Sequence, residues 1–296
     1  MKPETTFALA SPLSPRRESC YSNASAASDA ARRRLLSVEG DPFLLADWER
    51  ALFVHFVLAP EVLRPYVPEP FEAELHAGRA CVSVVALTMR HFHAYRRAAL
   101  AWLLLPVARQ RFLNVRTYVR WRDEPGAPFL WGWLSKPFRV GLPAAMFGLP
   151  YAFATLDYDH QLESGLLRGV ARVEACSQRF AYRASIDRKT AFQPCAAGSL
   201  AEFAMERYTG FFCRGDERRV FRAWHPPWLQ AAIELEFEED SLLRARFPWF
   251  KEARLAASNF APGFERVWLG GAHRLEWAAR AVRPRRRVLS AFYEMP

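Results

Sequence analysis

The stretch N-V-R-T-Y-V, residues 114–119, has the alternation that is typical of a β-strand with two different faces. Successive side chains of a strand point to opposite sides, so Asn114, Arg116 and Tyr118 share one face. The intervening valines and threonine share the other. A strand that is buried for packing alone needs no amide, guanidinium and phenol in a row. We therefore expect this face to meet a ligand, a polar network or water.

The composition is that of a large globular protein with a basic charge. The 296 residues are 51% hydrophobic and 14% aromatic, enough for a sizeable core in one β-rich domain or two smaller ones. The net charge of +10 comes almost entirely from arginine, because the only lysines are Lys2, Lys136, Lys189 and Lys251. No nucleic-acid-binding motif accompanies this charge, so we expect no nucleic-acid partner.

The cysteines and histidines form no metal-binding pattern. The five cysteines are widely spaced, and no Cys-x-x-Cys or Cys/His pair has the spacing of metal ligands. His91 and His93 fall on one strand face but lack a third ligand. We expect no metal and no other cofactor. The N-terminus lacks an apolar signal segment and no apolar run is long enough to span a membrane, which predicts a cytoplasmic protein.

The chain is expected to divide into three parts. Residues 1–40 lack apolar periodicity and predict a disordered N-terminal tail, 41–270 form the folded domain, and 271–296 are a basic C-terminal extension. Short strand-like segments with few helices between them predict an antiparallel barrel or sandwich. One helix is predicted at residues 199–209, where Ser199 and Glu202 form a capping box.

Six short segments occur in the order of a known family, over about residues 48–270. They are H-F-V-L-A-P-E-V-L-R-P-Y-V-P (55–68), N-V-R-T-Y-V (114–119), P-G (125–126), F-G-L-P-Y (147–151), M-E-R-Y (205–208) and H-P-P-W (225–228). On these segments the chain resembles the uncharacterised YqjF-like family of the acetoacetate-decarboxylase-like superfamily. The resemblance implies an α+β fold, a mostly antiparallel β-barrel with flanking helices, whose interior can hold a small molecule.

The resemblance does not imply decarboxylation. In acetoacetate decarboxylase the lysine that forms a Schiff base follows a glycine-aromatic-proline motif, and the analogous segment here ends in Tyr151. A phenol cannot form a Schiff base with a ketone. Phe112, Trp133 and Ala144 are apolar where the family tends to carry charged side chains. These replacements predict a less polar interior.

The candidate ligand-binding residues are Asn114, Arg116, Tyr118 and Tyr151, and Tyr151 is the best candidate for a catalytic group. An arginine that faces a barrel interior can bind a carboxylate through two parallel hydrogen bonds. A tyrosine can donate a hydrogen bond or act as an acid. The alternative is that carbonyls or acids of the fold itself satisfy Arg116.

Other polar residues have structural interpretations. Lys136 is expected in an exposed turn, and His225 is expected to pack at the rigid bend before Pro226 and Pro227. The segment Glu206–Tyr208 is expected to pin a helix to the domain.

Three functions remain open from the sequence. The first is a small-molecule-binding protein whose ligand is a small apolar acid or carbonyl compound. The second is an enzyme that acts on a keto or hydroxy acid without a Schiff-base lysine. The third is a membrane-surface or partner-binding protein that uses the basic segment 96–111.

Overall fold

The computed structural model describes residues 15–95, 109–136, 149–214 and 217–277. Most of the regular structure in these residues is β. The strands are β1 (Leu44–Leu58), β2 (Glu72–Ala73), β3 (Leu75–His76), β4 (Arg79–Ala94), β5 (Arg109–Thr117), β6 (Val119–Trp121), β7 (Glu124–Leu134), β8 (Tyr151–Phe153), β9 (Thr155–Gln161), β10 (Leu166–Val173), β11 (Gln178–Ser185), β12 (Gln193–Pro194), β13 (Thr209–Arg214), β14 (Glu217–Trp224), β15 (Leu229–Ala232), β16 (Glu234–Glu239), β17 (Arg254–Leu269) and β18 (His273–Arg274). The α-helices are α1 (Pro15–Leu36), α2 (Pro60–Leu63), α3 (Leu200–Met205) and α4 (Ser241–Arg246). Short 3₁₀ helices occur at Arg64–Tyr66, Glu174–Cys176 and Pro248–Glu252.

Seven strands pair side by side in a closed ring. The order is β17-β1-β4-β5-β7-β13-β14, and β14 pairs in turn with β17. Only the β7–β13 pairing of the ring is parallel; the others are antiparallel. The prediction of a mostly antiparallel β fold with few helices is confirmed. The closure is short, since Ala223 and Trp224 pair with Leu269 and Trp268 and no other pairs join β14 to β17 among the described residues.

A second sheet of four strands, in the order β16-β11-β10-β9, packs against one face of the ring strands. The sequence did not predict this sheet as a separate layer. Leu113 and Val115 of β5 share its hydrophobic core with Leu167 and Phe180. The apolar face of β5 is therefore buried between the two sheets, as the alternation of its sequence requires.

The N-terminal part of the chain differs from the prediction. The sequence predicts a disordered tail over 1–40, whereas residues 15–36 form α1; residues 1–14 lie outside the described ranges. Over residues 24–36, where burial is described, the buried positions of α1 are Ala24, Ser28, Ala31 and Leu35, which lie on one helical face. Two alanines and a serine do not make an apolar pattern in the sequence, which is why the helix was missed.

Helix α1 lies against β14 near the point where the ring closes. Ser28 Oγ donates a hydrogen bond to the carbonyl of His225 at 2.8 Å. The Arg32 guanidinium lies 5.2 Å from the ring of Trp224 and 5.1 Å from that of Trp268. Arg32 thus contacts both strands of the β14–β17 pair. The helix therefore supports the closure of the ring.

The predicted division at residue 270 stays a prediction. Strand β18 follows it and pairs with β14, so the first residues of the predicted extension join the ring sheet. Residues 278–296, with the basic run of the extension, lie outside the described ranges.

Candidate ligand-binding cavity

A cavity of about 150 Å³ lies inside the ring, and all seven ring strands contribute to its wall. Its wall is mostly apolar. On β5 the residues that face it are Gln110, Phe112, Asn114 and Arg116, which is the alternation expected of one strand face. The other aromatic side chains of the wall are Trp48, Phe92, Phe129, Tyr151, Tyr208 and Phe221.

Two of these rings depend on glycines of the neighbouring strand. The Tyr151 ring covers Gly132 of β7, and the Phe221 ring covers Gly210 of β13. A Cβ atom at either glycine would overlap ring atoms of its neighbour. Glycine at both positions therefore lets the rings lie against the wall and keeps the space of the cavity open.

Asn114 and Tyr151 are brought together, as the sequence predicts for two ligand-binding residues. Burial raises the pKa of Tyr151 well above its usual value, and the neighbouring Asn114 amide only partly opposes this. Tyr151 is therefore a protonated hydrogen-bond donor and a weak acid. The Oδ1 atom of Asn114 is buried and makes no hydrogen bond of normal geometry within the described residues.

Arg116 lies in the same wall. Its Nη2 donates to the carbonyl of Ala204 at 2.9 Å, while its Nε is buried and has no hydrogen-bond partner in the described part of the chain. No carboxylate of the described ranges forms an ion pair with it. The fold therefore satisfies Arg116 only in part. The nearby His55 and His225 are neutral, because burial and, to a smaller extent, the charge of Arg116 lower the pKa of each to about 3.

Tyr118 does not line the cavity. Strand β5 ends at Thr117, but Tyr118 stays beside Arg116 as the alternation predicts, since its ring lies 5.9 Å from the Arg116 guanidinium carbon. The Tyr118 hydroxyl instead shares a short hydrogen bond with Ser83 Oγ. Ser83 in turn hydrogen-bonds His55 Nδ1 at 2.6 Å. Tyr118 therefore belongs to a buried polar network outside the cavity wall.

The segment M-E-R-Y contributes two wall residues that the sequence analysis did not assign to the site. Arg207 and Tyr208 both line the cavity. Arg207 differs from Arg116 in that it pairs with Glu74 Oε2 at 2.6 Å. The only sequence indication was that this segment is shared with the family.

Glu206 has the structural role that was predicted. It accepts hydrogen bonds from the Tyr208 hydroxyl at 2.5 Å and from the Trp228 amide at 2.8 Å. These bonds tie the end of α3 to the H-P-P-W segment. The helix itself begins as predicted, since Ser199 Oγ accepts from the Glu202 amide, but it ends at Met205.

The three apolar replacements lie in different places. Phe112 lines the cavity, as predicted for a less polar interior. The same prediction is wrong for Trp133, which is 2% exposed and lies in the core shared with the second sheet. Ala144 lies outside the described residues.

The remaining candidates are not among the lining residues of the cavity. Lys136 is half-buried after β7 and is absent from the wall. His91 is exposed and bonds Asp47 Oδ2 at 2.5 Å, and no cluster of three potential metal ligands occurs within the described ranges. His225 packs between the rings of Tyr208 and Phe264, with centroids at 4.7 and 4.8 Å.

The hypothesis of a membrane or partner surface at 96–111 falls largely outside the described residues, which omit 96–108. Among the helices that are described, none has the length and apolar character needed to cross a membrane.

Comparison with known proteins supports the resemblance. The sequence model of DUF2071, a family of uncharacterized conserved proteins, matches residues 45–263. The chain belongs to this family. The uncharacterized protein YqjF of Bacillus subtilis (strain 168) is 24% identical to this DUF2071 chain over 211 residues, which are 67% of the chain and 79% of YqjF. The predicted family is thereby confirmed.

Three solved structures with a similar fold are an enduracididine biosynthesis enzyme, an acetoacetate decarboxylase-like enzyme and an acetoacetate decarboxylase. The enduracididine biosynthesis enzyme MppR has a TM-score of 0.56 at 15% identity, covering 78% of this chain and 87% of MppR. An acetoacetate decarboxylase-like enzyme from Sphingomonas wittichii RW1 has a TM-score of 0.53 at 18% identity, covering 80% of this chain and 94% of that enzyme. Acetoacetate decarboxylase from Legionella pneumophila has a TM-score of 0.51 at 14% identity, covering 81% of this chain and 90% of the decarboxylase. At these identities the likeness shows the fold alone.

Proposed function

We propose that this DUF2071 protein binds a small, largely apolar carboxylate inside a β-barrel, with Arg116 as the anchor for the acid group. The observation that carries the proposal is the Arg116 side chain, which lies in the cavity wall without a carboxylate partner among the described residues and with a buried, unpaired Nε. A buried charge without a partner costs several kcal/mol. A bound carboxylate would offset that cost by accepting two charge-assisted hydrogen bonds.

The other groups of the wall suit such a ligand. Tyr151 is a neutral donor beside Asn114, and the neighbouring cation Arg207 is already paired with Glu74. The rest of the wall is mostly apolar, with Gln110, Tyr208 and Thr209 as its other polar side chains. One negative charge on a compact apolar molecule therefore matches the charge and the lining of the cavity.

The closed ring of seven paired strands supports the barrel. MppR, one of the proteins of similar fold, has also been solved in complex with pyruvate, a small carboxylate, at a TM-score of 0.53 to this chain.

Binding without turnover is the simpler function for these residues. Schiff-base chemistry requires an amine in the cavity, and Lys136 is not part of its wall. The raised pKa of Tyr151 makes the phenol a poor acid near neutral pH. An enzyme acting on a keto or hydroxy acid stays the second candidate, favoured only by the fold of its neighbours.

The proposal is tested by calorimetric titration of the full chain with 4-methylpentanoate and with its neutral amide. We expect the acid to bind and the amide to bind about tenfold more weakly or worse, because the charge-assisted bonds to Arg116 are lost. Arg116→Ala should lower the affinity for the acid by a similar factor, and Arg116→Lys should lower it less. Arg109→Ala is the matched control, since Arg109 is an exposed residue of the same strand. Equal affinity of wild type and Arg116→Ala would overturn the proposal.

A further inference from the structure

We infer that the carboxylate held in this cavity is attached to a single six-membered aromatic ring. The inference rests on the proposed function and deepens it by naming the class of ligand. It is carried by the volume of the cavity and by the arrangement of the aromatic side chains in its wall.

The volume of the cavity suits a ligand with one ring. The cavity measures about 150 Å³, and an engineered apolar cavity of about that volume in another protein binds benzene. A single ring with a short acid side chain has a suitable size.

The wall presents two aromatic pairs from different strands. Phe112 of β5 and Tyr151 of β8 form a T-shaped pair with centroids 5.8 Å apart and planes at 64°. Phe129 of β7 and Phe221 of β14 form a tilted pair at 6.1 Å and 34°. Aromatic rings attract one another in these geometries beyond the effect of apolar burial. An aromatic ligand would extend both pairs, whereas a saturated ring would gain only burial.

The rings are held in place before a ligand arrives. Tyr151 lies against Gly132 and Phe221 against Gly210, so neither can retreat further into its wall. A site whose groups are already ordered loses less conformational entropy on binding. This fixed arrangement favours a flat, rigid ring over a flexible aliphatic chain.

The order of residues along β5 places the two ends of the ligand. Phe112, Asn114 and Arg116 face the cavity in that order, and alternate residues of a strand are about 6.6 Å apart. The aromatic part of the wall and the guanidinium are therefore at separate positions along the strand. Phe112 and Arg116 are two such steps apart, about 13 Å between their Cα atoms. A ligand with its ring near Phe112 and its acid toward Arg116 therefore needs a linker between them, and phenylacetate, with one carbon, is the simplest case.

The test compares phenylacetate with cyclohexylacetate, which has the same number of heavy atoms and the same charge. In calorimetric titrations of the wild-type chain we expect phenylacetate to bind about three- to tenfold more tightly. The double variant Phe112→Leu/Phe129→Leu keeps the wall apolar and should bring the ratio close to one. Phe153→Leu is the control, because Phe153 is exposed and outside the wall, and it should leave the ratio unchanged.

The outcomes separate the inference from the proposed function. The aromatic inference is overturned if cyclohexylacetate binds as tightly as phenylacetate or more tightly. The carboxylate site still stands in that case, provided that Arg116→Ala weakens the binding of both acids. If neither acid binds, or Arg116→Ala leaves both affinities unchanged, the carboxylate site itself is overturned. A ratio that persists in the double variant would also contradict the inference, because the preference would then arise elsewhere.

Discussion

Arg116 and Arg207 line the same cavity, but only Arg207 has a carboxylate partner within the described residues. Glu74 bonds Arg207 through Oε2 at 2.6 Å and Arg120 through Oε1 at 2.7 Å. The Arg207 side chain is only 5% exposed, whereas that of Arg120 is 44% exposed. The two ion pairs of Glu74 should therefore differ in their contribution to stability.

Glu74→Gln is expected to lower the free energy of unfolding by about 3 kcal/mol, because it leaves a buried guanidinium without its counter-charge. Arg120→Ala breaks only the exposed pair and should cost less than about 1 kcal/mol. Urea unfolding of the two variants measures both values. Equal losses of unfolding free energy in the two variants would mean that the buried Glu74–Arg207 pair contributes no more to stability than the exposed Glu74–Arg120 pair.

Glu206 makes a specific prediction for the pH dependence of stability. Burial raises its pKa from 4.5 to about 7, although hydrogen bonds from Tyr208 and the Trp228 amide oppose the rise. Between these pH values the folded protein keeps a proton that the unfolded chain has released. Ionisation of Glu206 therefore lowers stability as the pH rises from 4.5 to about 7.

Glu206→Gln removes this titration. Between pH 5 and pH 8 the free energy of unfolding of the variant should rise by about 2.5 kcal/mol relative to that of wild type, as measured by urea unfolding at both pH values. Glu163→Gln, at an exposed carboxylate, is the control and should show no such change. A constant difference between wild type and Glu206→Gln at the two pH values would show that Glu206 is not protonated in the folded state near pH 5.

The sequence predicted residues well where one strand alone decides the outcome. The alternation of β5 placed Asn114 and Arg116 on the cavity side and Leu113 and Val115 on the core side. It also placed Tyr118 beside Arg116, but it could not show that the Tyr118 hydroxyl bonds Ser83, because Ser83 belongs to another strand. Phe221 could not be predicted, since its place in the wall depends on the contact with Gly210.

At the scale of elements, the contact of Gly132 in β7 with Tyr151 in β8 sets part of the cavity wall. Gly132→Ala should push the Tyr151 ring into the cavity and cost about 1–3 kcal/mol of stability through overpacking. The affinity for phenylacetate should fall with it, as titration would measure. Gly271→Ala is the control, because a Cβ there meets only ordinary contacts. If Gly132→Ala left the affinity for phenylacetate unchanged, Tyr151 would not be part of the ligand site.

Helix α1 is the element that the sequence missed, and its contact with the ring can be tested. Arg32→Ala removes the cation that lies over both Trp224 and Trp268 and should lower stability by about 1 kcal/mol. Arg33→Ala, an exposed neighbour in the same helix, should change stability far less. Thermal unfolding of both variants measures the difference. Equal effects would mean that the helix does not support the ring through Arg32.

At the scale of the whole molecule, the fold class followed from the spacing of strand-like segments and from the family resemblance. The closure of the ring could not be predicted from the sequence, because β14 and β17 pair at only two described positions and these are distant in the chain. The parallel β7–β13 pairing and the second sheet also depend on long-range contacts. Local patterns carry no information about such contacts, whereas the faces of single strands are local properties.

The location of a bound carboxylate tests the central claim most directly. A crystal structure of the full chain grown with phenylacetate should show one molecule inside the ring, with a carboxylate oxygen about 3 Å from a guanidinium nitrogen of Arg116. Its ring should lie among the aromatic side chains of the cavity. Phenylacetate bound outside the ring, or inside it with the carboxylate turned away from Arg116, would contradict the account.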